Sequence, residues 1–422
     1  MAKMKIHINE LGPVKDSDIE LAPMMIYTGA SGLGKSYVNF LTYYVFNEFA
    51  NEKLSDFLTP KIEGKKWEGN KLSFFFTLSD LRTYLSEKAK PFLEWILAYP
   101  GLNCSVGFIT DDTLEEKYKV EAFAETNKVE GKEDLSINEC ICSINGRSRS
   151  TWYFTEYVNS AICSMVAQDI SEKILDKYFA ASYILPPGRT ALVGTGFSLF
   201  KTVSDIGMYD KYLHDYDILR KKNPRFFINL ISEKEKSDDQ FFLSQIQKLI
   251  HGELVQDKDG ILLKLENGQS IPLSAAASSI RELSPLLFWI QNRDISASSV
   301  CLEEPEAHAH PEMQFDIADL LASCINKGAY LQITTHSDYI LSRLNQLIRL
   351  YKFQQKDNDA FEKSEFVKSK RQLLNPQNIK AYHFIYSGEK GHVVIKNLDL
   401  NDGIPFDSFR SIITKQILFD DK

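Results

Sequence analysis

The chain has 422 residues, of which 44% are hydrophobic and 25% charged. That balance belongs to a soluble globular protein and excludes a disordered, collagen-like or disulfide-scaffold chain. At roughly 150 residues per domain, the length predicts two to three domains, or one large domain with insertions. Lys and Arg total 49 against 57 Asp and Glu, a net charge of −8, so any nucleic-acid contact must rest on a local basic patch. Six cysteines in so long a chain suggest free thiols in a reducing compartment. Cys140 and Cys142 lack the usual zinc-loop spacing and fit alternating strand positions better. The opening MAKMKIHINE lacks the signal-peptide pattern, and no apolar run approaches the length of about 18 residues that spans a bilayer. The expectation is a soluble, cytoplasmic protein with no membrane partner.

Taken in chain order, residues 5–9 alternate, Gly12-Pro13 turns the chain, and residues 18–21 alternate again. Met24–Tyr27 is an apolar run feeding into Gly29. After Ser36 the apolar residues Tyr37, Phe40, Leu41, Tyr44 and Val45 recur at helical spacing. Residues 55–155 are expected to form a β-rich insertion. It has strands near 72–78, 104–109 and 137–144, a helix near 79–98, and an Asn145-Gly146 hairpin turn. A helix is expected over 155–180 and a buried strand at Tyr183–Leu185, stopped by Pro186-Pro187. Residues 195–250 look like a helical insertion, followed by a hairpin-like stretch over 254–273. The pattern then predicts a helix at 279–291, a strand at 299–302, a helix at 311–324, a strand at 329–334 and a helix at 339–350. The charged stretch 354–372 suggests a flexible surface segment. Residues 380–400 return to strand, and a final helix is expected over 405–417, within the C-terminal stretch 400–422.

The strongest motif is Gly29-Ala30-Ser31-Gly32-Leu33-Gly34-Lys35-Ser36, which fits the phosphate-loop pattern G-x-x-x-x-G-K-[ST] between a strand and a helix. Its glycines let successive backbone N–H groups turn inward on phosphate oxygens, and the helix N-terminus adds partial positive charge. Lys35 would reach the β- and γ-phosphates and Ser36 would ligate Mg2+. Such a loop needs acidic partners. At the end of a later strand, Val300-Cys301-Leu302-Glu303-Glu304-Pro305 offers Glu303 for the metal shell and Glu304 as general base. His308 and His310 follow; they are metal ligands or, better, groups that hold the loop and contact a partner subunit. Thr334-Thr335-His336-Ser337 closes another apolar strand, where His336 could hydrogen-bond the γ-phosphate and the attacking water.

The phosphate loop, then E-E-P-E-x-H-x-H-P, then T-T-H-S together resemble the ABC-type ATPase superfamily, and more narrowly its SMC/RecF-like and OLD-like members. The resemblance covers about residues 1–50 and 180–400. It implies an α/β P-loop NTPase head of the ABC type, a mixed sheet with an antiparallel β subdomain, carrying the β-rich and helical insertions. Bound ATP and Mg2+ are implied, as is a head-to-tail homodimer or higher homo-oligomer. In such dimers a signature motif from the other subunit meets the nucleotide. The matching stretch contains Ser274, Ser278 and Ser279, with Ile280 where the family usually has Gly. By the same resemblance, Arg189 on the loop after Tyr183–Leu185 would sit near the nucleotide or the dimer seam. Neither a TOPRIM nuclease nor long coiled-coil arms are expected in this chain. The resemblance therefore suggests an ATP-driven switch for anti-phage defence or DNA processing, with a separate nuclease or toxin as effector. One alternative is a DNA-binding clamp in repair, using Arg220, Lys221, Lys222, Arg225, Lys368, Lys370 and Arg371, which could equally be solvated surface charges. Another is a scaffold that sequesters a toxin or nuclease.

Overall fold

The computed structural model describes residues 2–50, 53–128, 136–153, 157–193, 207–221, 233–257, 260–401 and 403–404. β1 (Met4–Leu11), β2 (Val14–Glu20) and β3 (Met24–Gly29) come first, then α1 (Lys35–Phe49) and α2 (Ser55–Ile62). β4 (Lys71–Thr77) and α3 (Leu78–Ile96) precede β5 (Cys104–Thr110), β6 (Lys117–Lys128), β7 (Ser136–Ile144), β8 (Arg147–Tyr153) and α4 (Val158–Leu175). Next come β9 (Ala181–Leu185), α5 (Arg189–Val193), α6 (Gly207–Arg220), α7 (Glu233–Ile250), β10 (Gly252–Asp257), β11 (Gly260–Leu265) and β12 (Ser270–Pro272). The last part holds α8 (Ser278–Asn292), β13 (Ser298–Glu303), α9 (Pro311–Lys327), β14 (Tyr330–Thr334), α10 (Asp338–Lys356), α11 (Asn358–Glu362), β15 (Ile379–Ser387) and β16 (His392–Asn397). The helix expected over 405–417 lies outside the described residues.

The chain divides into two compact units. One comprises Met1–Leu21, Leu41–Leu93 and Leu102–Ser182; the other comprises Ala22–Phe40, Glu94–Gly101 and Tyr183–Lys422.

In the first unit, β1 pairs antiparallel with β2 on one side and β5 on the other. The turn between β1 and β2 uses Gly12 at φ 55°, a conformation glycine adopts without strain. Strands β4, β6, β7 and β8 form a second antiparallel sheet in that order. Asn145 (φ 48°) and Gly146 (φ 83°) close the β7–β8 hairpin, both left-handed as a type I′ turn requires. β6 and β8 went unseen in the sequence; β8 is the hairpin's return strand, and its run of Arg and Ser carries no apolar alternation. Helix α4 packs on β7 and β8, burying Ile162, Cys163, Val166 and Ile170. Cys140 and Cys142 are both buried, and all six cysteines are free thiols.

The second unit is a mixed sheet in the order β16-β15-β3-β14-β13-β9. β3 lies parallel between β15 and β14, and β13 is parallel to β14. β16 runs antiparallel to β15. All residues of β13 and β14 are buried, as expected of parallel strands covered on both faces, and the polar Ser299 and Gln332 meet each other at 3.2 Å. Tyr27 stacks on Tyr382 with ring centroids 5.7 Å apart and meets Phe384 edge-on at 6.1 Å. Helix α9 starts at Pro311, which tolerates the first helical turn, and ends at Gly328 with φ 104°. The parallel arrangement puts the C-terminal ends of β3, β13 and β14 at one edge of the sheet, the edge where open α/β sheets carry their sites.

The segment 354–372 carries regular structure and a small core of its own. α10 continues to Lys356, α11 follows, and Phe361 is fully buried with Leu350 and Leu373. Tyr351, Phe353 and Val367 pack against this cluster. The charges dominate the composition there, but aromatic residues spaced among them supply an apolar face.

Candidate nucleotide site

The phosphate loop joins β3 to α1, as its pattern predicts. Gly29, Gly32 and Gly34 have φ values of 131°, 77° and 88°, conformations that L side chains rarely adopt. At Gly29 a Cβ would also stand 2.8 Å from the carbonyl oxygen of Phe384, so the loop can leave β3 beside β15 only without a side chain. Ala30, Ser31 and Leu33 occupy the intervening positions of the loop. Helix α1 has no acidic residue in its first turn, which leaves its N-terminal field free for an anion. The ammonium of Lys35 folds onto its own loop, donating to the carbonyls of Gly29 (3.1 Å) and Ala30 (2.9 Å). Burial holds its pKa below the ordinary lysine value, against the pull of the Glu303, Glu304 and Glu306 carboxylates.

Ser36 donates its hydroxyl to Glu303 Oε2 at 2.5 Å. Asn39, one turn further along α1, donates from Nδ2 to Glu303 Oε1 at 2.5 Å. Glu303 is 2% exposed, and burial pushes its carboxyl pKa up, opposed by hydrogen bonds from Ser36, Asn39 and Thr334. The loop and the acidic strand end therefore share one pocket. The donor set also fits the ion the fold implies: a serine hydroxyl beside a carboxylate is a hard-oxygen pair of the kind magnesium takes alongside phosphate oxygens and water.

Glu304 turns the chain sharply, with φ 46°. Its N–H donates to the Thr334 carbonyl at 3.1 Å and lies 3.3 Å from the Thr334 hydroxyl. A positive φ at a non-glycine residue stores strain, and such positions cluster at functional sites. Glu306 accepts the Thr335 hydroxyl at 2.9 Å and the His336 N–H at 2.6 Å. Burial and the nearby Lys35 ammonium hold the His336 pKa below its ordinary value, while Glu304 pulls it up. Lys35, Glu304 and His336 thus lie within one electrostatic neighbourhood. His308 is exposed with φ 62°. His310 caps α9, its Nδ1 accepting from the Glu312 N–H at 3.4 Å. Gln314 ties this loop down, donating to the Ala309 carbonyl at 2.8 Å and accepting from the hydroxyl of Ser337.

Arg189 lies beside the strand end that carries Glu303. It is 1% exposed. Its guanidinium donates to the carbonyls of Leu185 (2.8 Å), Pro186 (2.7 Å), Glu303 (2.8 Å) and Glu282 (3.1 Å), and pairs with the Glu282 carboxylate at 3.1 Å. Glu282 also accepts the N–H and the hydroxyl of Thr190 at 2.7 and 2.5 Å. With its donors directed at protein oxygens, Arg189 braces the end of β13 against α8 rather than facing a phosphate. Ser274 lies exposed in a 3-10 turn, and Ser278 and Ser279 open α8. Ala277 precedes them and offers the helix no side-chain cap.

The residues that pattern reading missed are Asn39, Thr190, Glu282, Glu306 and Gln314. Only Glu306 carried a signal, its place inside the acidic motif. The others are common polar residues, and the partners of Asn39, Thr190 and Glu282 lie far along the chain.

The basic positions considered for nucleic acid are largely matched by acids. Arg220 and Lys221 both pair with Asp217 at 2.5 Å. Lys370 pairs with Glu362, and Arg371 meets Asp238 at 3.5 Å and the Phe241 ring at 4.6 Å. Lys222 and Arg225 lie outside the described residues.

Residues 155–341 match the family model described as the AAA ATPase domain. No curated protein matches the chain by sequence. Among solved structures, similarity extends to an SMC head bound to the C-winged helix domain of ScpA (12% identity, 95% of this chain and 98% of that one, TM-score 0.36). It extends also to the SMC head domain from Thermotoga maritima (10% identity, 94% and 100%, TM-score 0.35). A third is the Pyrococcus furiosus Smc head with an extended coiled coil, bound to the C-terminal domain of ScpA (13% identity, 98% and 99%, TM-score 0.38). The phosphate loop between β3 and α1 and the mixed sheet have the arrangement of a P-loop nucleotide-binding fold, and residues 155–341 match an ATPase domain. Among the described residues, no helix is long and apolar enough to cross a membrane.

Proposed function

We propose that this ATPase works as an ATP-driven dimeric switch that acts on a separate effector protein. The observation that carries the reading is the 2.5 Å contact between Ser36 and Glu303, which joins the phosphate loop to the acidic strand end in one unit.

In this reading the backbone N–H groups of residues 30–36 cradle the triphosphate. Lys35 exchanges its two loop carbonyls for the β- and γ-phosphate oxygens. Ser36 and Glu303 would hold a magnesium ion, which would supply charge neutralisation to the transferring phosphoryl group. Glu304 orients the attacking water and takes its proton. His336, whose pKa burial and Lys35 hold below its ordinary value against the pull of Glu304, can donate to the γ-phosphate from one ring nitrogen. The second copy supplies Ser274, Ser278 and Ser279: an α8 N-terminus without a side-chain cap suits the γ-phosphate of a partner's nucleotide. Loss of that phosphate on hydrolysis would remove the contacts that hold the dimer closed.

The resemblance to the SMC/RecF-like and OLD-like group favours DNA processing or anti-phage defence as the setting, with a nuclease or toxin as the separate effector. The DNA-clamp reading is less well supported, because four of the seven candidate basic residues, Arg220, Lys221, Lys370 and Arg371, already meet Asp217, Asp238 or Glu362. The test is the solution mass of Glu304→Gln by light scattering with and without MgATP. The switch reading expects a doubling of mass on adding ATP. An unchanged mass contradicts it.

A further inference from the structure

We propose that Asn39 is a positioning residue that fixes the metal-shell carboxylate of Glu303 and thereby sets how strongly nucleotide binding depends on the divalent cation. The inference rests on the reading of this pocket as the MgATP site, and its test keeps the two apart.

Asn39 is fully buried, as is Glu303 apart from 2% of its surface. Asn39 and Ser36 are three residues apart on α1, so they share one face of the helix. From that face each gives one hydrogen bond to a different oxygen of the same carboxylate, Asn39 to Oε1 and Ser36 to Oε2. A second link runs in parallel: the Cys301 thiol, two residues earlier on β13, lies 4.0 Å from the backbone carbonyl of Asn39. The helix that begins at the phosphate loop is thus tied to the acidic strand at both side-chain and main-chain level.

The two tethers are not equivalent. Ser36 is itself assigned to the cation, so its hydroxyl oxygen must turn toward the ion when MgATP binds. Asn39 has an amide donor and lies one turn deeper, where it can keep hold of Oε1 throughout. Glu303 needs such a hold. A glutamate has three side-chain torsions, and its terminal torsion is broad, so an untethered carboxylate would have to be ordered again each time the ion bound. Partners that orient a ligand in this way typically change metal affinity by about 10–100-fold when removed.

The experiment measures binding of a fluorescent ATP analogue, first in EDTA and then across a Mg2+ series, for the wild type, Asn39→Ala, Asn39→Asp and Ser36→Ala. Asn39→Ala is expected to bind within about 2-fold of wild type in EDTA, while the Mg2+ concentration for half-maximal enhancement rises about 10–100-fold. Asn39→Asp keeps the shape but faces Glu303 with a second carboxylate, so its Mg2+ midpoint should rise at least as far; it decides the matter if the alanine variant does not fold. Midpoints within 2-fold of wild type in the folded variants overturn the proposal. A wild type whose nucleotide binding shows no Mg2+ dependence overturns the pocket reading itself, and Ser36→Ala losing the enhancement confirms that the readout reports the ion.

Discussion

The carboxylate of Glu306 accepts the backbone N–H of His336 at 2.6 Å and the hydroxyl of Thr335 at 2.9 Å. The loop that follows the acidic pair therefore holds the strand end that carries His336. Ser337, next in sequence, caps α10 by accepting the Ile340 N–H at 3.1 Å and donates to Gln314. The histidine sits between two anchored neighbours, and its position depends on Glu306.

Glu306→Ala should lower kcat about 100-fold, the loss expected when a site group shifts by about an ångström, with KM for ATP little changed. Because Glu306 acts through His336, adding His336→Ala should cause little further loss. Steady-state phosphate release from the two single variants and the double variant measures this. Multiplicative losses would show that the two residues act independently.

Arg189 and Glu282 form a buried pair, both about 1% exposed. Removing one partner leaves a buried charge and unsatisfied carbonyls, so Arg189→Met and Glu282→Leu should each destabilise the protein by about 3–5 kcal/mol. The double substitution should be less damaging than either single one, since apolar replacement removes both charges together. Urea unfolding of the three variants provides the comparison.

The glycines of the loop differ in what surrounds them. Gly29→Ala places a methyl 2.8 Å from the Phe384 carbonyl at φ 131°, so the loop must move away from β15 and ATP binding should be lost. Gly32→Ala meets no heavy atom within 4 Å. It bears only the strain of a left-handed residue, about 1–2 kcal/mol, and should retain measurable affinity. Fluorescent-nucleotide titration distinguishes the two.

Glu48 on α1 accepts the Tyr84 hydroxyl at 3.2 Å, and burial raises its pKa from 4.5 to about 7. The hydrogen bond from Tyr84 and the charges of Lys53 and Lys88 oppose that rise, while Asp56 adds to it. Between these two values the folded state holds a proton that the unfolded state has released. Stability from this group therefore falls as pH rises from about 4.5 to about 7 and is level above that. Glu48→Gln should be more stable than wild type at pH 8, with the difference vanishing near pH 4.5. Melting temperatures across this range test the sign.

The elements nearest the chemistry were the most legible in the sequence. Gly29–Ser36 could be placed because only glycines and a lysine at that spacing make a phosphate cradle between strand and helix. Glu303 and Glu304 stood out because two acids directly after an apolar strand are unusual. Asn39 and Glu282 could not be found this way. An asparagine inside a helix and a glutamate in the first turns of another have ordinary surface explanations, and only the fold brings them to Glu303 and Arg189. Arg189 was noticed but its partners were not, since a loop arginine after a buried strand looks the same whether it faces a phosphate or its own carbonyls. The cluster around Phe361 was hidden by the lysines and glutamates that flank it, and β8 by its hydroxyl and arginine residues.

The most direct test of the central claim is phosphate release from MgATP by the wild type, Lys35→Ala and Glu304→Gln, with nucleotide binding measured alongside. The pocket described here predicts that Lys35→Ala loses binding. It predicts that Glu304→Gln still binds ATP but hydrolyses it at least about 100-fold more slowly. Equal rates in wild type and Glu304→Gln would contradict the assignment of water activation to Glu304, and undiminished binding in Lys35→Ala would contradict the pocket.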